Sequence, residues 1–124
     1  MLPFEETQVR AADGSDPQSA IAEEATRILA LVRPNEPMWL LERSGEMIES
    51  PVLAKRLEEI GRTGISRLNI VVAGTYGADA ILLARATWRW SLSPLTFLHE
   101  WARMLVLEQL YRAAKISRNE PYHH

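Results

Sequence analysis

Residues 90 to 99 read Trp90-Ser91-Leu92-Ser93-Pro94-Leu95-Thr96-Phe97-Leu98-His99, and this stretch decides the fold. Its first residues complete a short apolar run over residues 88–92 that predicts a strand. A loop rich in serine, threonine and proline follows, and a long helical pattern begins at residue 98. The loop therefore joins the last predicted strand to the last predicted helix.

The rest of the chain alternates strand and helix patterns. Strands are predicted over residues 2–9, 38–41, 68–73 and 88–92, and helices over residues 17–32, 50–61, 78–87 and 98–117. Asp16-Pro17 and Ser50-Pro51 each combine a capping side chain with a proline at the first helical position, and Ser44-Gly45 predicts a turn. This order predicts an α/β fold with a mostly parallel sheet and helices on both faces, in a single domain over residues 1–124.

The last helix is apolar around most of its circumference. A helix that covers one face of a sheet needs only one apolar stripe, so this pattern predicts burial on two sides, with a second subunit as the simplest cover. Glu108 and Arg112 have the spacing of an ion pair on the remaining polar strip. The apolar positions are Trp101, Met104, Leu105, Val106, Leu107, Leu110, Tyr111, Ala113 and Ala114.

Composition narrows the function classes. The 124 residues include no cysteine, which excludes disulfides and thiolate metal sites. The net charge of −2 offers no general attraction to nucleic acid, so RNA contact requires a local basic patch. No signal peptide and no membrane-length apolar run stand out. Three histidines, two of them at the terminus, make a poor metal site. We therefore expect a cytoplasmic protein without metal.

Three groups of residues could bind a ligand or take part in catalysis, and each also has a purely structural interpretation. The glycine-bearing loop at Gly74 and Gly77 could approach a ligand closely or form a tight turn. The loop over residues 92–99 could hold an adenine between apolar side chains, or Thr96 could simply cap a helix. His99 and Arg103 share a helix face and could serve acid–base and anion-stabilising roles, or be surface residues.

These segments, in this order, resemble SPOUT methyltransferases, in particular the small family that methylates a pseudouridine of large-subunit ribosomal RNA. The resemblance covers most of the chain and is strongest over residues 90–124. It implies a C-terminal trefoil knot, a homodimer packed through the long helices and S-adenosylmethionine as methyl donor. The acceptor implied is RNA or the ribosome.

The resemblance also implies which residues form the site. Donor-binding positions would be Leu41, Ala73, Gly74, Gly77, Leu92, Ser93, Pro94, Leu95, Thr96, Phe97 and Leu98. The catalytic set would be His99, Arg103, Tyr122 and His123, with the tail of one subunit reaching the site of the other.

The chain departs from the family pattern at several points. The double-glycine turn of the family is Ala73-Gly74 here, and the family's Pro-His is Leu98-His99. Family members also have a strand and helix ahead of the point where this sequence starts, so we expect a divergent, N-terminally shortened member. Two alternatives follow from these departures: a knotted dimer that has lost catalysis and acts as a binding module, and a methyltransferase with a non-RNA acceptor.

Overall fold

Helices and strands alternate through the part of the chain that the computed structural model describes, namely residue 7 and residues 16–65, 67–73 and 79–120. The elements are α1 (Pro17–Leu29), β1 (Met38–Glu46), α2 (Ser50–Arg62), β2 (Asn69–Val72), α3 (Ala80–Arg85), β3 (Trp88–Trp90) and α4 (His99–Ser117). Each one overlaps an element predicted from the sequence. The strand predicted over residues 2–9 lies outside the described residues.

The strands form a three-stranded sheet in the order β2-β1-β3. Both outer strands run parallel to β1, with Leu41 opposite Val72 on one side and Trp90 on the other. Each parallel connection crosses over through a helix, as parallel pairing requires. The prediction of a parallel α/β sheet is therefore confirmed for the described strands.

Alternation along β1 divides the core into two layers. Met38 and Leu40 point to the face covered by α1 and α3, where they pack with Ile28 and Leu82. Trp39 points to the opposite face, which α2 and α4 cover. Because successive side chains of a strand point to opposite faces, this run of consecutive apolar residues fills both layers at once. Helices on both faces of the sheet were predicted and are present.

Aspartate side chains cap the start of two helices. The cap at Asp16 was predicted from the sequence, and Asp79 makes the same kind of bond. The Asp16 carboxylate accepts from the Gln18 N–H at 3.2 Å at the start of α1, and Asp79 accepts from the Ile81 N–H at 2.9 Å at the start of α3. The expected cap at Ser50 is wrong, because Glu49 occupies the cap position of α2 and makes no side-chain cap bond. The Ser50 hydroxyl instead donates to Gln109 Oε1 of α4 at 2.6 Å.

The turn predicted at Ser44-Gly45 is also wrong, since both residues belong to β1. Beyond Leu41 the pairing with β3 becomes irregular, and Glu46 lies opposite the same Trp90 that faces Leu41. A Cβ at Gly45 would come within 2.6 Å of the Arg89 carbonyl oxygen. The glycine therefore serves close approach between two backbones rather than reversal of the chain.

The final helix exposes part of its apolar surface. Ala102, Val106 and Ala113 are buried against the sheet and α2, whereas Trp101 is 60% exposed and Met104 59% exposed. The predicted ion pair is confirmed, with Arg112 Nη2 2.6 Å from Glu108 Oε1.

Candidate functional site

The carboxyl edge of the sheet gathers three of the predicted donor-binding positions. Leu41 lies between Val72 and Trp90 in the strand register. Ala73 directly follows β2, and Leu92 lies two residues beyond the end of β3. Because all three strands are parallel, their carboxyl ends meet at one edge. Residues far apart in sequence thus become neighbours where α/β folds bind ligands.

The segment from Ser91 to Leu98 leaves β3 and leads into α4. It is here called the donor loop because the family resemblance predicts that it binds the methyl donor. Ser91 at its start is buried, while Leu95 is 70% exposed and Leu98 is 71% exposed. The Ser93 hydroxyl accepts from the Leu95 N–H at 3.1 Å, which bends the loop locally. Thr96 does not cap the helix, because Leu98 occupies the cap position without a side-chain bond. The purely structural interpretation of Thr96 is therefore wrong.

His99 connects the donor loop to the end of β2. Its Nδ1 lies 2.9 Å from the Ala73 carbonyl oxygen. A carbonyl only accepts hydrogen bonds, so Nδ1 carries the proton in this contact and Nε2 is the remaining ring nitrogen. Arg103 lies one turn further along α4 and is half-buried. The helix thus presents an oriented imidazole at the carboxyl edge.

A cavity of about 520 Å³ opens beside the donor loop. Its volume falls within the range of small-molecule sites. Of the predicted donor-binding residues, Leu92 and Phe97 line it. The remaining lining residues are Met47, Ile48, Glu49, Ser50, Pro51, Leu53, Trp90, Ser91, Leu105 and Gln109.

The sequence analysis did not predict the contribution of the last residues of β1 and of the segment that joins β1 to α2. Met47 and Ile48 line the cavity, and Arg43 Nη1 donates to the Thr96 hydroxyl of the donor loop at 3.1 Å. The sequence carried a signal for this contribution, because these residues follow closely on the apolar run that ends at Leu41. The prediction of a turn at Ser44-Gly45 ended the strand too early.

Four predicted site residues, Gly74, Gly77, Tyr122 and His123, lie outside the described residues. Within residues 16–65, 67–73 and 79–120, no group of three or more acidic or histidine side chains could hold a metal ion. None of the helices in those ranges combines the length and the apolar character needed to cross a membrane.

The charged groups with shifted pKa values lie elsewhere in the molecule. A hydrogen bond from Lys115 lowers the pKa of Glu120, and the same bond raises the pKa of Lys115 despite the opposing effect of burial. Asn119 follows α4 in the left-handed region with φ of 56°. This ion pair therefore closes the last turn of the helix.

Comparison with known proteins assigns a family to this arrangement. A family model described as "Predicted SPOUT methyltransferase" matches residues 1–123. The chain belongs to the SPOUT methyltransferase family. The parallel sheet with helices on both faces is consistent with this family.

Individual relatives of this SPOUT chain carry the name "Ribosomal RNA large subunit methyltransferase H". The protein of Synechococcus sp. (strain CC9605) is 45% identical over 100 residues, which cover 81% of this chain and 67% of the relative. The protein of Solidesulfovibrio magneticus is 39% identical over 127 residues, 99% of this chain and 80% of the relative. The protein of Bifidobacterium adolescentis is 36% identical over 119 residues, which cover 96% of this chain and 74% of the relative. Across eight curated relatives of this name, the matched part spans 62% to 80% of their length.

Proposed function

We propose that this SPOUT protein is an S-adenosylmethionine-dependent methyltransferase of large-subunit ribosomal RNA, acting in the cytoplasm on a ring nitrogen of a pseudouridine. The observation that carries the proposal is the convergence of Leu41, Ala73 and the donor loop at the carboxyl edge of the sheet. The names of the relatives support the RNA acceptor. The choice of pseudouridine rests on the family resemblance.

The residues present fit a nucleoside-bearing methyl donor. The donor loop offers backbone N–H and C=O groups beside the apolar side chains of Leu92 and Phe97, a combination that recognises an adenine ring. The cavity of about 520 Å³ beside it is large enough for such a molecule. When bound, S-adenosylmethionine supplies a methyl group on a positively charged sulfur. The chain would then hold donor and acceptor in line. The entropy cost of bringing the two reactants together is thus met by binding rather than in the reaction step.

His99 is the best placed of the described residues to receive a proton. Methylation of a ring N–H releases that proton, and a neutral imidazole accepts one near physiological pH. The Ala73 carbonyl engages Nδ1, so the ring is oriented and Nε2 is left for the transfer. Arg103, on the same helix, would stabilise negative charge on the acceptor ring. Tyr122 and His123 complete the proposed catalytic set.

We also propose the C-terminal trefoil knot and a homodimer that covers the apolar face of α4. Leu98, Trp101 and Leu105 recur at helical spacing and are 71%, 60% and 37% exposed. Met104 beside them is 59% exposed. An apolar stripe of this kind on a helix favours burial against a partner. A second copy is the simplest partner and fits the resemblance.

Replacement of Trp101 by lysine tests the dimer directly. Buried aromatic anchors in interfaces contribute about 2 kcal/mol or more, so Trp101→Lys should weaken self-association by at least roughly 30-fold. Sedimentation over a concentration series measures it. Arg89→Lys, on an exposed position of β3, is the matched control. A wild-type chain that sediments as a monomer at high micromolar concentration would contradict the dimer.

Calorimetric titration with S-adenosylmethionine tests the donor, and transfer of a radiolabelled methyl group to ribosomes and to protein-free RNA tests the acceptor. We expect donor binding, and incorporation into large subunits that Arg103→Ala abolishes. Absence of binding at millimolar donor would refute the proposed function. Donor binding without transfer to any RNA would favour a different acceptor or a non-catalytic binding module.

Two substitutions of His99 separate proton transfer from tethering. Asparagine keeps an N–H where Nδ1 bonds the Ala73 carbonyl but lacks the basic nitrogen, whereas alanine lacks both. We expect kcat to fall about 100-fold in His99→Asn, while donor affinity stays near wild type. In His99→Ala donor affinity should fall as well. An active His99→Asn would assign the residue a tethering role only.

A further inference from the structure

The last residues of β1, from Arg43 to Glu46, run alongside the start of the donor loop. The Ser91 N–H donates to the Glu46 carbonyl at 2.8 Å, which continues the strand pairing past β3. Gly45 faces the Arg89 carbonyl so closely that a Cβ there would lie 2.6 Å from its oxygen. The extension of β1 is therefore in direct contact with the backbone that leads into the donor loop.

The Ser91 side chain makes a second connection, inside the protein. Ser91 is only 3% exposed, and its hydroxyl lies 2.8 Å from the Arg43 carbonyl and 3.1 Å from the Ser93 carbonyl. A hydroxyl has one proton to donate, so these two carbonyls share it. Loss of the hydroxyl would remove this donor from two part-buried carbonyls, which costs more than the loss of an exposed bond.

Arg43 makes a third connection, at the far side of the donor loop. Its Nη1 donates to the Thr96 hydroxyl at 3.1 Å, in an exposed position. Residue 43 thus contacts the donor loop twice, through its carbonyl at Ser91 and through its guanidinium at Thr96. Leu95 and Thr96 are both exposed, so little packing holds this part of the loop.

The extension is itself anchored to the body of the protein. Glu46 Oε1 accepts from Arg56 Nη2 at 2.9 Å and from Trp88 Nε1 at 2.8 Å. The Arg56 guanidinium also lies 4.5 Å from the centre of the Trp88 ring. Trp88 packs against Trp39 of the central strand, with ring centres 4.8 Å apart. The position of Glu46 is therefore set by α2 and by two strands.

We infer that residues Arg43 to Glu46 form a latch that fixes the donor loop in its binding conformation, with Ser91 and Arg43 as positioning residues that act through the loop. The inference rests on the proposed function, in which this loop holds the methyl donor. A loop that is ordered before binding loses less conformational entropy when the ligand arrives. The latch thus contributes to donor affinity and leaves RNA binding unchanged.

Ser91→Ala tests the buried part of the latch, and Ser44→Ala is its control. The Ser44 hydroxyl lies on the same segment but donates only to Glu42. We expect Ser91→Ala to weaken donor binding roughly threefold to tenfold, the range of one buried hydrogen bond. The KM for the donor should rise by a similar factor while the KM for RNA stays constant. Ser44→Ala should match wild type. Equal changes in both KM values, or none, would overturn the latch.

A double-mutant cycle tests the exposed part and remains decisive if Ser91→Ala does not fold. Arg43→Met keeps the aliphatic stem and removes the donor, and Thr96→Val removes the acceptor. We expect Arg43→Met to weaken donor binding roughly twofold to threefold, the range of an exposed polar contact. It should have no further effect in a Thr96→Val background. Additive effects, or none from Arg43→Met, would contradict the inference. Wild-type protein that binds no donor would instead refute the proposed function.

Discussion

The two edges of the sheet differ in what their polar groups do. At the amino edge, Glu36 is 6% exposed and its carboxylate accepts from the Arg33 N–H and the Asn69 side chain. The Arg85 guanidinium donates to the Arg33 and Glu36 carbonyls. The Thr87 hydroxyl bonds the backbone of Met38. Nearly every group there binds the main chain.

The carboxyl edge is arranged differently. The donor loop exposes Leu95 and Leu98, a cavity opens beside it, and His99 Nδ1 bonds the Ala73 carbonyl at the end of β2. The latch bonds the donor loop at Ser91 and at Thr96. The comparison indicates that polar groups at the amino edge close the structure, whereas those at the carboxyl edge leave the proposed binding surface open. Ligand sites commonly belong to such less constrained loops on rigid scaffolds.

The largest expected effect comes from the strand that connects the two edges. Leu40 is fully buried in the centre of the sheet, so Leu40→Ala should lower the free energy of unfolding by about 2–5 kcal/mol. Ile81→Ala is the control, because Ile81 is 44% exposed on α3 and should change stability by about 0.5 kcal/mol or less. Urea titration followed by tryptophan fluorescence measures both. Similar losses in the two variants would contradict the assigned core.

A pair of glycine substitutions examines the carboxyl edge next. Gly45→Ala places a Cβ against the Arg89 carbonyl and should cost about 1–3 kcal/mol by overpacking. It should also weaken donor binding, because it displaces the latch. Gly61→Ala, in α2 with no atom within 4 Å of the added Cβ, should stabilise the protein by about 0.5–1 kcal/mol through helix propensity. Thermal unfolding compares the stability of the two variants. A Gly45→Ala variant as stable as wild type would contradict the close approach of the two backbones.

The smallest expected effect concerns the charge at the amino edge. Burial by itself would raise the pKa of Glu36, but hydrogen bonds from Arg33 and Asn69 and the positive charges of Arg67 and Arg33 hold this pKa below its usual value. The carboxylate therefore stabilises the fold above the ordinary glutamate pKa of roughly 4.3, and this contribution is lost as the pH falls through the folded-state pKa.

Glu36→Gln should accordingly be less stable than wild type at neutral pH, and the difference should shrink as the pH falls below about 4. Glu59→Gln, on the exposed side of α2, is the control for loss of one negative charge. Unfolding midpoints across a pH series provide the measurement. Donor affinity at neutral pH should not change in either variant. A constant difference at all pH values would exclude the ionised carboxylate as the cause.

Local sequence signals predicted the elements of this fold well where they depend on neighbouring residues. The continuous apolar run at Met38 to Leu41 is typical of a strand covered on both faces, and Asp16-Pro17 predicted the start of α1. The Glu108–Arg112 pair followed from helical spacing alone. These features are decided within one or two turns of chain, so the sequence contains what is needed to predict them.

Predictions failed where a distant partner competes for the same group. Ser50 has the local signature of a helix cap, yet its hydroxyl bonds Gln109 on another helix. Ser44-Gly45 has the signature of a turn, yet the backbone of β3 lies against it. The latch was missed for the same reason, since Arg43 and Thr96 become neighbours only when the strands assemble.

The sequence by itself determined the alternation of strands and helices, the two-sided burial of the central strand and membership of a methyltransferase family. Only the tertiary structure decided that β1 runs on to Glu46, that Ser91 is buried between two segments, and that His99 bonds Ala73. The physical reason is that periodicity and capping act over a few residues, whereas the order of parallel strands brings together positions dozens of residues apart.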